Sequence, residues 1–69
     1  MDTSEKEHLL DRIQTLIREV AYTGGWEYQG EYGEYKLAPY SSTKCPELEM
    51  VIYHLVNALG SLASIKTED

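Results

Sequence analysis

The chain has 69 residues, which limits it to one small domain with a marginal hydrophobic core. Hydrophobic residues make up 42% and charged residues 26%, a composition typical of globular proteins rather than of disordered segments. Asp and Glu outnumber Lys and Arg by 12 to 6, so the net charge is −6. Direct binding to a nucleic-acid backbone needs clustered basic residues and is therefore not expected.

The sequence predicts a cytoplasmic protein without a membrane segment. Its single cysteine, Cys45, excludes a disulfide framework within the chain. The first residues carry neither the basic segment nor the apolar segment of a signal peptide. No apolar run approaches the roughly 18 residues that a membrane-spanning helix needs.

The first predicted element is a helix over residues about 4–22. Ser4 and Glu7 have the spacing of a capping box, in which each side chain bonds the other residue's backbone N–H. Gly24 and Gly25 follow as helix stop signals. Between the capping box and these glycines, apolar residues recur at steps of three and four, as on one face of a helix. They are Leu9, Leu10, Ile13, Leu16, Ile17 and Val20.

Residues about 26–38 alternate between apolar and polar side chains, which predicts a β-hairpin with one buried face. Gly30 and Gly33 flank Glu31 and Tyr32, so we place the two-residue turn at Glu31–Tyr32. This turn gathers the aromatic side chains on one face. It predicts the cross-strand pairs Trp26–Leu37, Glu27–Lys36, Tyr28–Tyr35 and Gln29–Glu34.

A second helix is predicted over residues about 46–64, with Pro46 at its first position and with residues 66–69 frayed. Its apolar band is wider than one helix and one hairpin can cover, which predicts a homo-oligomer, a dimer or larger. Gly60 indicates either close helix packing or the end of the helix, and we favour packing. The predicted oligomer interface consists of Met50, Tyr53, Val56, Asn57, Gly60 and Ser61.

These elements predict an α+β fold, a small α-β-β-α unit in which two helices pack on a β-hairpin and oligomerisation completes the core. An isolated two-stranded hairpin is marginal in water, so the helices have to supply most of the buried surface. We interpret residues 1–69 as a single domain.

Tyrosines and glutamates concentrate around the hairpin and predict a partner-binding surface. Tyrosine is enriched at the hot spots of protein interfaces, and carboxylates attract a basic partner. Trp26, Tyr28 and Tyr35 are expected to pack in the core instead. The predicted partner-binding residues are Tyr22, Glu27, Glu31, Tyr32, Glu34 and Tyr40.

The sequence provides no catalytic, metal or cofactor motif. Cys45 precedes Pro46, near a helix N-terminus that favours a thiolate, but neither His8 nor His54 forms a local motif with it. One cysteine and two histidines are too few for a zinc site, and phosphate-binding and calcium-binding loops are missing. We therefore expect no catalytic residues, no metal and no cofactor.

The leading hypothesis is a non-enzymatic interaction module, a regulator or inhibitor that docks on a larger protein with a basic surface, such as one that handles nucleic acids. The first alternative is a small-molecule-binding protein with an aromatic-lined pocket at a subunit interface. The second alternative is an enzyme whose site is shared between subunits.

Overall fold

The chain forms two helices and a two-stranded antiparallel sheet in the predicted order α-β-β-α. The structure is a computed structural model that describes residues 1–31, 34–40 and 45–68, apart from the side chains of Glu31 and Glu34. The elements are α1 (Thr3–Gly24), β1 (Trp26–Glu31), β2 (Glu34–Pro39) and α2 (Leu48–Ala63). The small α+β fold is thus confirmed.

Helix α1 begins earlier than predicted, because its capping box is formed by Asp2 and Glu5 rather than by Ser4 and Glu7. The Glu5 N–H donates to Asp2 Oδ1 at 2.7 Å, and the Asp2 N–H donates to Glu5 Oε1 at 3.2 Å. Both residue pairs have the required spacing, but an Asp N-cap adds a negative charge at the positive end of the helix dipole.

The end of α1 uses the two glycines in different ways. Gly25 is the C-cap, with a left-handed φ of 98°, and its N–H donates to the carbonyls of Ala21 and Tyr22. Gly24 is still helical and is buried beneath Trp26: a Cβ built on it would lie 2.5 Å from Trp26 Cζ3. The missing side chain of Gly24 therefore lets the Trp26 ring pack directly on the helix backbone.

The predicted hairpin register is wrong by two residues. Tyr28 is opposite Leu37, Glu27 is opposite Ala38, and Lys36 pairs with Gln29 rather than with Glu27. Gly30 lies inside β1 with a φ of 129°, so β1 continues to Glu31 before the chain reverses. The predicted turn residue Tyr32 lies outside the described residues.

A shift of two residues leaves every side chain on its original face, which is why the apolar pattern did not distinguish the two registers. Tyr28 and Tyr35 still meet, but as diagonal neighbours, with ring centroids 6.0 Å apart and planes within 20°. The predicted burial of Trp26 and Tyr28 on the inner face is confirmed.

Helix α2 begins two residues later than predicted. The first backbone bonds, from Leu48 to Cys45 and from Glu49 to Pro46, span three residues, so Pro46 lies in a tight turn before the α-helix. The helix continues through Gly60 to Ala63. Gly60 is therefore not the helix cap, and the alternative that it ends α2 is wrong.

The two helices pack antiparallel. Gly24 lies beside Leu48 at one end, and at the other Lys6 Nζ donates to the carbonyl of Ile65 at 2.6 Å. The Glu68 N–H donates to the carbonyl of Met1 at 3.2 Å, so this part of the C-terminal segment is held against the N-terminus rather than frayed as predicted. Asp69 lies outside the described residues.

The core lies between the helices and extends under the hairpin, where α1 contacts β1. Tyr35 and Leu37 of β2 pack against its edge. The fully or nearly buried apolar residues are Ile17, Ala21, Trp26, Tyr28, Ile52, Val56 and Leu59. The molecule is elongated, 45 Å along its longest axis and about 16 Å across, so this core is thin and much apolar surface stays exposed.

Candidate docking surface

Two tyrosines that are distant in sequence form a stacked pair on the surface. Tyr22 is in the last turn of α1, and Tyr40 follows β2, where its N–H donates to the carbonyl of Gly25 at 3.1 Å. The ring centroids are 5.1 Å apart and the planes lie within 16°. Tyr22 is 68% exposed and Tyr40 45% exposed, so most of this aromatic surface faces solvent.

A hydrogen bond fixes the geometry of the Tyr22–Tyr40 pair. Tyr40 Oη donates to the backbone carbonyl of Tyr22 at 2.7 Å. The Tyr22 carbonyl also accepts the Gly25 N–H at 3.1 Å, and a carbonyl oxygen has two lone pairs, so it can take both donors. Because the Tyr40 side chain is held by this bond and by stacking on Tyr22, a partner that covers the Tyr40 ring would restrict little further side-chain motion there.

The Tyr22–Tyr40 pair borders a shallow pocket of about 430 Å³. Trp26 and Tyr28 are buried and form its floor, while Glu27 and Arg18 place opposite charges at its rim. Arg18 is not among the residues predicted from the sequence, although its position one helical turn before Tyr22 places the two residues on the same side of α1. The residues that line this pocket are Arg18, Tyr22, Trp26, Glu27, Tyr28 and Tyr40.

The structure brings together three of the six predicted partner-binding residues: Tyr22, Glu27 and Tyr40. Tyr32 lies outside the described residues. Glu31 and Glu34 face each other as the last and first residues of the two strands, and their side chains are outside the description.

The acidic side chains near this surface have few cationic partners. Within the described ranges, one ion pair is present, between the Met1 amino group and Glu68 at 3.9 Å. The remaining described carboxylates are exposed and contribute to a negative field around a chain whose net charge is −6. Such a field speeds the encounter with a basic partner.

A second, more open groove of about 800 Å³ lies between β2 and the start of α2. Met50 is 60% exposed and Tyr53 is 49% exposed at this groove, and Glu49 lies beside them. The lining is predominantly apolar and consists of Tyr35, Pro46, Glu47, Glu49, Met50 and Tyr53.

The predicted oligomer interface divides between surface and core. Met50, Tyr53, Asn57 and Ser61 are exposed, and Gly60 is partly exposed. Val56 is 2% exposed and packs in the core of its own chain, so it is not available to a second copy. Periodicity misplaced Val56 because the core-facing and outer bands of α2 are both rich in apolar residues.

The residues considered for catalysis or metal binding do not form a site in the described part of the chain. Cys45 Sγ donates to Glu47 Oε2 at 3.1 Å. His54 meets the ring of Tyr53 edge-on, with centroids 5.6 Å apart, and His8 is exposed. Within residues 1–31, 34–40 and 45–68, no cluster of three or more His, Cys, Asp or Glu side chains has the arrangement to hold a metal ion.

Glu47 directly precedes α2, and its side chain does not cap the helix. A hydrogen bond from its own backbone, assisted by the Cys45 thiol, lowers the pKa of Glu47 below its ordinary value of 4.5. The charged form of this carboxylate is therefore favoured in the folded chain.

No protein-family model, no curated protein and no solved structure matches this chain. Neither described helix has the length and apolar character required to cross a membrane.

Proposed function

We propose that the chain is a non-enzymatic interaction module of the cytoplasm, a regulator or inhibitor that docks on a larger protein. The observation that carries this proposal is the exposed Tyr22–Tyr40 pair, in which Tyr40 bonds the Tyr22 backbone carbonyl and the two rings stack. Solvent exposure of two ordered rings contributes little to folding, whereas a partner that covers them gains large contact area at low entropic cost.

The charge of the chain supports a basic partner surface. The net charge is −6, and Glu27 is at the rim of the pocket beside the tyrosines. Reversal of Glu31 and Glu34 to Lys is expected to slow association more than it speeds dissociation, because long-range attraction acts mainly on the encounter rate. A partner that binds nucleic acid has a surface of the required sign.

A pull-down with quantified affinity tests the docking proposal. Tyr22→Ala removes the more exposed ring but leaves the backbone carbonyl that Tyr40 bonds. We expect it to weaken binding of the captured partner by about 1–2 kcal/mol, as at an interface hot spot. Met50→Ala is the matched control, because Met50 is similarly exposed but lies in the other groove. Equal capture by both variants contradicts the proposal.

A second candidate function, small-molecule binding, is supported by the apolar groove between β2 and α2. Its volume of about 800 Å³ is within the range of ligand sites, and Tyr35 and Tyr53 supply aromatic walls. A ligand of this groove should raise the melting temperature of the chain in a concentration-dependent way. Tyr53→Ala should abolish that rise, whereas Tyr22→Ala should preserve it.

Homo-oligomerisation is the second part of the proposal. It is supported by large apolar side chains that a single copy leaves exposed, among them Leu9, Leu16 and Val51 at 40–45%. The expected state is a dimer or larger at micromolar concentration. A sedimentation mass equal to the chain mass of 7.9 kDa contradicts it.

A further inference from the structure

The hairpin covers one side of the helix pair. The pocket beside Trp26 and Tyr28 includes Arg18 of α1, and the groove beside Tyr35 includes Glu49 and Tyr53 of α2. These side chains therefore mark the hairpin side of the two helices. The opposite side has no strand packed on it within the described chain.

The uncovered side carries two apolar rows with heptad spacing. On α1 the row steps by four, three and four residues, and on α2 it steps by three and four in turn. A depression lined by Leu16, Val20 and Leu48 shows that the two rows lie side by side. We call this surface the heptad face; it consists of Leu9, Ile13, Leu16 and Val20 of α1 and Leu48, Val51, Leu55, Ala58 and Leu62 of α2.

The heptad face borders the seam used within the chain: its inner residues Ile13, Val20, Leu48 and Leu55 pack against the core, and its outer residues are left for a partner. The internal seam of α2 is formed by Ile52, Val56 and Leu59, all of which are at most 2% exposed. On the heptad face, by contrast, Leu9, Leu16 and Val51 remain 40%, 45% and 41% exposed. Three-and-four spacing over one to two heptads places these side chains in one stripe, the arrangement by which amphipathic helices pack on a neighbouring helix.

We propose that the heptad face binds the heptad face of a second copy, so that two helix pairs form a four-helix bundle with the hairpins on the outside. This inference deepens the proposed homo-oligomerisation and replaces the sequence-predicted interface around Met50 and Tyr53. The 16 residues of α2 give a face only about 24 Å long. A four-helix bundle buries the faces of both α1 and α2 from each copy, so the total buried apolar area compensates for the short length of α2.

The charges that border the face favour self-pairing. Arg12 and Glu19 line the same depression as Leu16. Along α1, Arg12 precedes Leu16 and Glu19 follows it, so the two charges are about one heptad apart. When two copies of α1 cross antiparallel about a two-fold axis near Leu16, Arg12 of each copy faces Glu19 of the other. A two-fold interface repeats each contact, so this complementarity occurs twice.

A lipid surface is the competing occupant of an exposed apolar helix face. Membrane-surface helices carry Lys and Arg along the polar side, which attract anionic lipids. This chain has a net charge of −6, and the heptad face is bordered by Glu19 as well as Arg12, so it has no row of basic residues. The charge therefore favours a second copy.

Sedimentation equilibrium of the full chain tests the inference. Wild type should have twice the chain mass, and Leu16→Glu and Val51→Glu should each weaken dimerisation at least tenfold. Both sites are already 41–45% exposed, so the fold should survive, which the Trp26 fluorescence spectrum checks. Tyr53→Glu is the matched control on the hairpin side and should leave the mass unchanged.

A charge-reversal cycle tests the geometry independently. Arg12→Glu and Glu19→Arg should each weaken the dimer several-fold, and the double variant should restore it. Restoration is a result that a merely structural role of these residues would not produce.

Each outcome decides between the proposals. A wild-type monomer overturns both the homo-oligomer and this face. A dimer that Tyr53→Glu disrupts while Leu16→Glu does not overturns this face but keeps the homo-oligomer. A monomer that binds anionic vesicles through Leu16 overturns the second copy in favour of lipid.

Discussion

Two glycines in helices provide a matched test of the packing between α1 and the hairpin. Gly24 and Gly60 are both helical, but their surroundings differ. A Cβ on Gly24 would lie 2.5 Å and 2.8 Å from two atoms of the Trp26 ring. A Cβ on Gly60 would meet no described atom within 4 Å. The same substitution, Gly→Ala, should therefore have opposite effects at the two positions.

The expected magnitudes follow from two opposing terms. Alanine in place of glycine stabilises a helix interior by about 0.8–1 kcal/mol. Overpacking a core costs about 1–3 kcal/mol, and Trp26, only 8% exposed, has little room to move. Gly24→Ala should therefore lower the free energy of unfolding by about 0.5–2 kcal/mol. Gly60→Ala should raise it by about 0.5–1 kcal/mol.

Thermal unfolding followed by circular dichroism and by Trp26 fluorescence measures both changes. For a domain of this size, a difference of about 2 kcal/mol separates the two melting temperatures by about 8–16 °C. Both variants have to be compared at one protein concentration, because self-association raises the melting temperature. If Gly24→Ala stabilises the chain as much as Gly60→Ala does, Trp26 does not pack on α1 as described.

Four further predictions concern single residues. Asp2→Ala removes the helix cap and should lower the free energy of unfolding by about 1 kcal/mol in urea denaturation, whereas an unchanged midpoint would contradict the capping box. The pKa of Glu47 is lowered in the folded state, so its contribution to the free energy of unfolding is present above pH 4.5 and is lost as the pH falls through the folded pKa. When the free energy of unfolding is measured against pH, Glu47→Gln should therefore reduce its decrease at acidic pH. Tyr40→Phe keeps the ring but removes the bond to Tyr22, and calorimetry should show weaker partner binding through a larger entropic penalty. Tyr32→Ala should change the free energy of unfolding by less than about 0.5 kcal/mol while it weakens partner binding, and strong destabilisation would assign the ring a structural role.

Local patterns in the sequence were sufficient to predict the elements and their order. The three-and-four spacing of Ile13, Leu16, Ile17 and Val20 identifies α1, because helical geometry alone determines which residues share a face. Exact boundaries were less predictable. Two capping boxes of equal spacing compete at the start of α1, and the sequence does not show that the chain near Ile65 returns to bond Lys6.

The register and the docking surface depend on tertiary structure. A two-residue shift preserves both faces of the hairpin, so alternation alone could not locate Tyr28 opposite Leu37. The contact between Tyr22 and Tyr40 requires the end of β2 to return to the end of α1, through the bond from Tyr40 to Gly25. The sequence predicted each tyrosine as a surface residue but not their stacking.

Site-specific photo-crosslinking tests the docking proposal most directly. A benzophenone amino acid replaces Tyr22 in the full chain, and His8, exposed on the same helix about 21 Å away, is the control position. Irradiation in the native cells should join position 22, but not position 8, to one larger protein with a basic surface. Equal adducts from both positions, or adducts from position 8 alone, would contradict docking through the Tyr22–Tyr40 pair.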